Sequence, residues 1–387
     1  MKNKTTIFLY IVFFLTIFNV SETQSGNPKK YCYHFIGRIN NQAQIEMNLI
    51  RINDSVYGNY SLDTKESSSF KFMQNDSYHT VQLYGKVNAK GIFVIKENPW
   101  DKGATFTGKL VDDQTLKGTW ESADGKIKYP FELKQKYLEG SVPFNVYFQK
   151  GSFPLVNKSN SPKATLQYCL LSPNESTDPI ISDSLTILIH RKYMGKSVRK
   201  VSPDVILLAM KQIYVDNYIK TNESIYKETL GASFNWESLK FMDVVLNRSD
   251  LLAFYIEQYA FTGGAHGLQT RDYTVVNLHS GRPISLKEIF SADYEAALTD
   301  ILTKKARKMH NINADKKLTD SGFFVESIKP TNNFYITING IGFFYNHYEI
   351  APYSNGPEDI FIPFSELKSL PINDGILKGL PGYSIQP

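Results

Sequence analysis

The sequence predicts two domains. An all-β meander over residues 31–138 closes into an up-and-down barrel or strongly curled sheet, and an α+β domain over 140–370 packs two helices on an antiparallel sheet. An irregular tail follows over 371–387. Three observations carry this reading. The chain has 387 residues and is 42% hydrophobic, enough for two cores. An aromatic share of 13% favours strands. The apolar period is two residues in the first third and lengthens to 3.6 in two later stretches.

Residues 1–25 read as a secretory signal peptide. Lys2 and Lys4 make a basic start, 7–18 are apolar apart from Thr16, and Ser21, Thr23 and Ser25 are small. A run of this length is too short to cross about 30 Å of hydrocarbon. No cysteine directly follows it, which argues against lipoprotein processing, and no later segment has transmembrane character. The expected product is soluble and periplasmic or secreted.

The barrel is read from alternating runs at 31–39, 44–52, 55–62, 80–87, 92–96, 104–110, 115–120 and 126–133. Turn residues separate them at Asn40-Asn41, Asn53-Asp54, 88–91, Asp112-Asp113 and Asp124-Gly125. Closure removes exposed edges. Gly58, Gly85, Gly108 and Gly118 recur inside apolar strands, where glycine lets a sheet bend. The interior is either a small-ligand mouth or a filled scaffold.

Glu139, Gly140, Ser141 and Pro143 mark the domain boundary. Beyond it the pattern predicts strands near 144–150, 164–171 and 184–191. A helix then starts at Ser202-Pro203, with Val205, Leu208, Ala209 and Ile213 as its apolar stripe. Antiparallel strands follow at 240–247, 251–261 and 271–279, then a turn of helix capped by Ser285 with Glu288. The second helix repeats Tyr294, Leu298, Ile301, Leu302, Ala306 and Met309 at helical spacing. Strands at 322–329, 333–339, 342–349 and 359–363 complete the domain.

The formal net charge of +5, part of it on Lys2 and Lys4 of the leader, is too small to imply nucleic acid. The basic run from His190 to Lys200 reads as a solvated loop or as a surface for an acidic glycan or lipid. The run at Lys304, Lys305, Arg307 and Lys308 offsets a helix dipole. Cys32 and Cys169 fall in different predicted domains. A bridge would staple them together, and spacing leaves bridged and free states open.

Two segments stand out. In AFTGGAHGLQTRDY, at 260–273, Gly263, Gly264 and Gly267 surround His266 between strand-like runs, as at a hairpin tip. In YEIAPYSNGPEDI, at 348–360, Tyr348, Glu349, Pro352, Tyr353, Gly356 and Pro357 precede Ile362 to Leu367. In this order and separation, with Asn277, Gly281, Ile284 and Phe290 between them, the segments resemble the RsiV-like domain of unknown function. That is the extracellular domain of RsiV-type anti-sigma factors, also found in PdaC-type peptidoglycan deacetylases and in exported proteins of Bacteroidota. The resemblance spans roughly 140–370 and implies an α+β fold and recognition of a partner outside the cytoplasm, lysozyme in the RsiV case.

The intact motifs of zinc proteases, serine hydrolases and P-loop enzymes are missing, so the expectation is no metal, no cofactor and no catalytic residue. The candidate binding residues are His266, Gly264 and Asp272 on the hairpin, with Tyr348, Glu349 and Tyr353 on the late strand. A histidine beside a carboxylate could do acid or base work, and paired aromatics stack on sugar rings. In the duller account Asp272 and Glu349 hold loop backbone and the tyrosines pack. The expected function is therefore an exported, non-catalytic binding or sensing protein of the cell envelope, with an envelope protein or a peptidoglycan-type glycan as ligand. Because the chain is itself basic, it offers no long-range attraction to a cationic lysozyme. The alternative is a cell-wall hydrolase or deacetylase accessory enzyme.

Overall fold

Alternation and turn chemistry produce the first domain as expected. The computed structural model describes residues 29–63, 80–97, 103–226, 233–291, 293–368 and 370–383; the expected leader at 1–25 lies outside them. Strands β1 (Lys30–Ile39), β2 (Ala43–Ile52), β3 (Ser55–Leu62), β4 (Val81–Val87), β5 (Ile92–Glu97), β6 (Thr105–Val111), β7 (Thr115–Glu121) and β8 (Lys128–Gln135) pair in sequence. β1 also pairs with β8, which closes the barrel. Asn40, Asn41, Asp112 and Asp113 take left-handed backbone at the hairpin tips, a conformation their short polar side chains tolerate. Gly108 and Gly118 face each other across β6 and β7, and a Cβ on Gly108 would lie 2.1 Å from the Lys117 carbonyl oxygen. The interior is filled by Phe35, Met47, Phe93, Phe106, Trp120 and Phe131, so the barrel is a packed scaffold.

Strands β2 and β3 are buried on both faces. Their inward residues fill the barrel, and their outward residues meet the second domain. There a six-stranded sheet runs in the order β14, β13, β12, β11, β10, β9. Its strands are β9 (Phe144–Pro154), β10 (Lys163–Pro173), β11 (Trp236–Arg248), β12 (Leu251–Phe261), β13 (Leu268–Asn277) and β14 (Arg282–Pro283). It is antiparallel except between β10 and β11, which run parallel because two helices cross over between them.

The first of these helices, α1 (Pro179–Met194), corrects the strand expected at 184–191. The run SLTILIHR mimics a strand, but Asp178 caps the Ile180 and Ile181 amides, Pro179 follows, and Gly195 ends the helix at φ 67°. His190, expected in a solvated loop, is fully buried on this helix. The second helix, α2 (Pro203–Asn222), starts where expected but is turned over. Ile206, Leu207 and Tyr218 face inward, whereas Val205, Leu208 and Ile213 are exposed. The inward stripe also carries Met210 and Tyr214, so it buries more apolar surface than the one the spacing first suggested.

A capping box between Ser285 and Glu288 starts α3 (Leu286–Ile289), as expected. Helix α4 (Tyr294–Met309) buries Tyr294, Leu298, Leu302 and Ala306 against a separate three-stranded sheet of β15 (Phe334–Ile336), β16 (Gly340–Tyr345) and β17 (Glu358–Pro363). Each of the two expected helices thus serves a different sheet. Residues 322–329 form no strand. The stretch read as an irregular tail carries a short helix, α5 (Asp374–Leu377), and buries Leu377 and Leu380 in the core. No helix among the described residues is long and apolar enough to cross a membrane.

The two domains are joined by buried polar groups. Asn59 of β3 donates to the Asp243 carboxylate at 3.0 Å and to the Val244 carbonyl at 2.7 Å. Tyr255 donates to Asp243 at 3.1 Å and lies 3.1 Å from Gln82 of the barrel. Asn48 links Asn59 to His34, and Arg248 pairs with Glu46. Cys32 and Cys169 come to this same interface as free thiols, and burial pushes Cys169 up to about 12, which keeps it an inert thiol.

Burial pushes the Asp243 carboxyl up to about 6 despite its three donors. Because the folded value exceeds the ordinary one, ionisation favours unfolding, and this group's contribution to stability falls as pH rises from about 4 to about 6. Asn59→Leu removes one donor from a buried carboxylate, a loss on the order of 2–3 kcal/mol. Urea unfolding at pH 7 should show it, with a smaller deficit below pH 4. An unchanged midpoint at pH 7 would mean that the network does not hold the domains.

Candidate functional site

The two segments singled out from the sequence meet in space. The tip between β12 and β13 spans residues 262–267, and the turn after β16 carries residues 346–353. Tyr353 is the centre of the contact. Its ring lies 4.1 Å from His266, with 24° between planes, and 4.3 Å from His347, with 20°. Two near-parallel rings at such distances occupy opposite faces, so the phenol is held between two imidazoles. The Tyr353 hydroxyl donates to the Gly267 carbonyl at 3.0 Å. That carbonyl also accepts from His266 Nδ1 at 3.0 Å, and since a carbonyl cannot donate, Nδ1 carries the hydrogen.

Backbone shape holds the stack. Gly263 takes φ 89° at the tip. Gly267 is required by space, because a Cβ there would lie 2.2 Å from the Tyr259 ring beneath it. Tyr348, at φ 69°, is turned outward and is 51% exposed, with its ring 5.8 Å from Tyr353. His347 is buried, and burial lowers its pKa, with His266 nearby acting in the same direction. It therefore stays neutral.

The carboxylates play other parts. Glu349 accepts from the Asn346 amide at 3.0 Å and closes the turn. Asp272 does not join His266: strand alternation turns it to the opposite face of the sheet, where it pairs with Lys192 of α1 at 3.1 Å. The expected histidine–carboxylate pair is absent. Gly264 lies exposed at the tip. No group of three His, Cys, Asp or Glu among the described residues is placed to hold a metal ion. An open cavity of about 510 Å³ at the start of α4, lined by Lys287, Phe290, Asp293 and Tyr294, shares no residue with the stack.

What the sequence reading missed is Arg271. It lies beside Asp272 on β13 but faces inward, bonding Glu257 through Nε at 2.8 Å and through a second, shorter contact. It stacks on Tyr255 at 4.4 Å and Phe344 at 5.3 Å. Burial opposes its charge, but Glu257 and the neighbouring phenols outweigh that and hold it protonated. Its backbone ties the two segments together. Asn346 accepts from the Arg271 amide at 2.7 Å and donates to its carbonyl at 3.2 Å, while Asn333 does the same work at Arg271 and Tyr273. Side-chain amides thus replace a strand along the edge of β13. The cross-strand register of Glu257 and Arg271 was the available signal.

Residues 287–365 match a family model described as a protein of unknown function, DUF3298. The chain is similar to that family. A crystal structure of a DUF3298 member from Bacteroides fragilis NCTC 9343 aligns with a TM-score of 0.58 at 27% identity, covering 63% of this chain and 98% of the other. A DUF3298 protein from Pseudomonas aeruginosa PAO1 aligns with a TM-score of 0.43 at 17% identity, covering 60% of this chain and 94% of the other. No curated protein matches the chain.

Arg271→Ala should cost on the order of 3–5 kcal/mol in thermal or urea unfolding, because Glu257 is left buried and unpaired. The double variant Arg271→Met with Glu257→Leu should recover most of that loss. Equal damage from the single and double variants would show that the charge pair is not what matters.

Proposed function

We propose that this chain is an exported, non-catalytic binding or sensing protein of the cell envelope that recognises a wall glycan through the stack at the hairpin tip. The observation that carries this reading is the pairing of exposed Tyr348 and His266 with a Tyr353 ring fixed between two imidazoles. Flat rings held at fixed angles suit the apolar face of a sugar and lose little side-chain freedom on binding. Among the described residues, neither imidazole of the stack has a bonded carboxylate to orient it, which favours binding over acid–base chemistry. Export rests on the leader-like residues 1–25. The resemblance to RsiV-like domains, over a region that includes the DUF3298 match, supports recognition outside the cytoplasm. A lysozyme-like protein is the other partner class that this resemblance suggests.

The test is calorimetric titration of the purified chain with soluble peptidoglycan fragments, followed by mass spectrometry of those fragments. Tyr348→Ala and His266→Ala should each weaken binding about tenfold, equivalent to about 1.4 kcal/mol, with the fragments unchanged in mass. Cleaved or deacetylated fragments, or full affinity in both variants, would reject the reading.

A further inference from the structure

Strand alternation places a second set of polar groups near the hairpin. Cys169 of β10 and Phe241 of β11 face the barrel, and Tyr57 of the barrel meets the Phe241 ring edge-on at 5.7 Å. Two residues back along the strands, Gln167 and Leu239 share that face, with Tyr259 of β12 beside Leu239 in the ladder. Glu237 follows on the same face, diagonal to both Gln167 and Tyr259 and within reach of long side chains. Tyr259 is also the ring on which Gly267 sits, so the group adjoins the hairpin tip.

Among the described residues, two acceptors in this group lack donors. Gln167 is 7% exposed, and its amide oxygen has no hydrogen-bond partner. Glu237 Oε1 is likewise sealed from solvent without one. Folded proteins rarely leave such atoms unmet. Burial alone pushes the Glu237 carboxyl up to about 7, so no cation among the described residues neutralises it. The titratable neighbours are Tyr259 and, beyond it, Tyr353 of the stack, Tyr214 of α2 and, next to Gln167 in the ladder, Lys150. Burial keeps the Tyr259 phenol neutral, with its pKa pushed up to about 12.

We propose that Gln167, Glu237 and Tyr259 form a subsite for a primary ammonium group, carried by an unacetylated amino sugar or by a lysine side chain. An ammonium has three donors and no acceptor, which matches an amide oxygen and a carboxylate, and its charge is attracted to an aromatic face. A hydroxyl would bring one donor to two acceptors, and an anionic ligand would be repelled by Glu237. The subsite adjoins the stacking platform through Tyr259 but draws on different polar atoms, so the two can fail separately.

The experiment is titration of the full chain at pH 7.5 with glucosamine, N-acetylglucosamine, Nα-acetyl-lysine amide and its Nε-acetylated form, read by calorimetry or NMR shifts. One of the free amines should bind, and its acetylated counterpart at least tenfold more weakly; which amine binds identifies the source. Glu237→Gln and Gln167→Leu should each weaken that binding at least tenfold, whereas His279→Ala, on the exposed turn at the far end of β13, should leave it unchanged. Binding should also weaken on going to pH 6, where Glu237 takes up a proton. Circular dichroism confirms folding, and Glu237→Gln should melt higher than the parent at pH 8, because it removes an unpartnered buried charge. Equal binding of acetylated and free amines, binding of neither amine, or full affinity in Glu237→Gln overturns the proposal.

Discussion

A desolvated line of charge on one face of the six-stranded sheet constrains everything around it. Arg271 and Glu257 are neighbours across β12 and β13, and Asp243 lies one row away behind Tyr255. None of these groups is tolerable in an apolar interior alone. Their partners therefore come from different bodies: Asn59 from the barrel and Tyr255 from the sheet itself hold Asp243, Gln82 of the barrel meets the Tyr255 hydroxyl, and Phe344 of the three-stranded sheet lies under Arg271. Docking the barrel, the central sheet and the small sheet together satisfies these groups, and separating any one of them exposes a buried charge to the wrong surroundings.

The candidate site is a consequence of that arrangement. Asn346 clamps the Arg271 backbone, and the same turn goes on to His347 and Tyr353. The hairpin tip arrives from the other side, supported on Tyr259 where glycine alone leaves room. An aromatic stack results, with exposed edges and, among the described residues, no adjacent base–carboxylate pair.

Much of the fold was legible from residue order. Eight barrel strands and their turns at Asn40-Asn41 and Asp112-Asp113 follow from alternation and from residues that accept left-handed backbone. The Ser285 and Glu288 capping box and the face of α4 were equally plain. Helix α1 was misread because Thr186, Ile187 and Ile189 mimic a strand, although Asp178, Pro179 and Gly195 mark its ends. Helix α2 carries two apolar stripes, and spacing alone could not rank them. Of the six candidate residues, His266, Tyr348 and Tyr353 share ring contacts with one another or with His347, Glu349 braces their turn, Gly264 is exposed at the tip, and Asp272 faces α1.

The division has a physical cause. Period, capping and turn preference act within a few residues, so the chain's own order settles where strands, helices and reversals lie and which segments resemble a family. Which partners meet across 184 positions, as Asn59 and Asp243 do, depends on how much surface each packing removes from water and on whether every buried charge finds a counterpart. That is why Asp272 and Arg271, adjacent in sequence, end on opposite faces with unrelated roles, and why only the assembled molecule brings His266, His347 and Tyr353 into one stack.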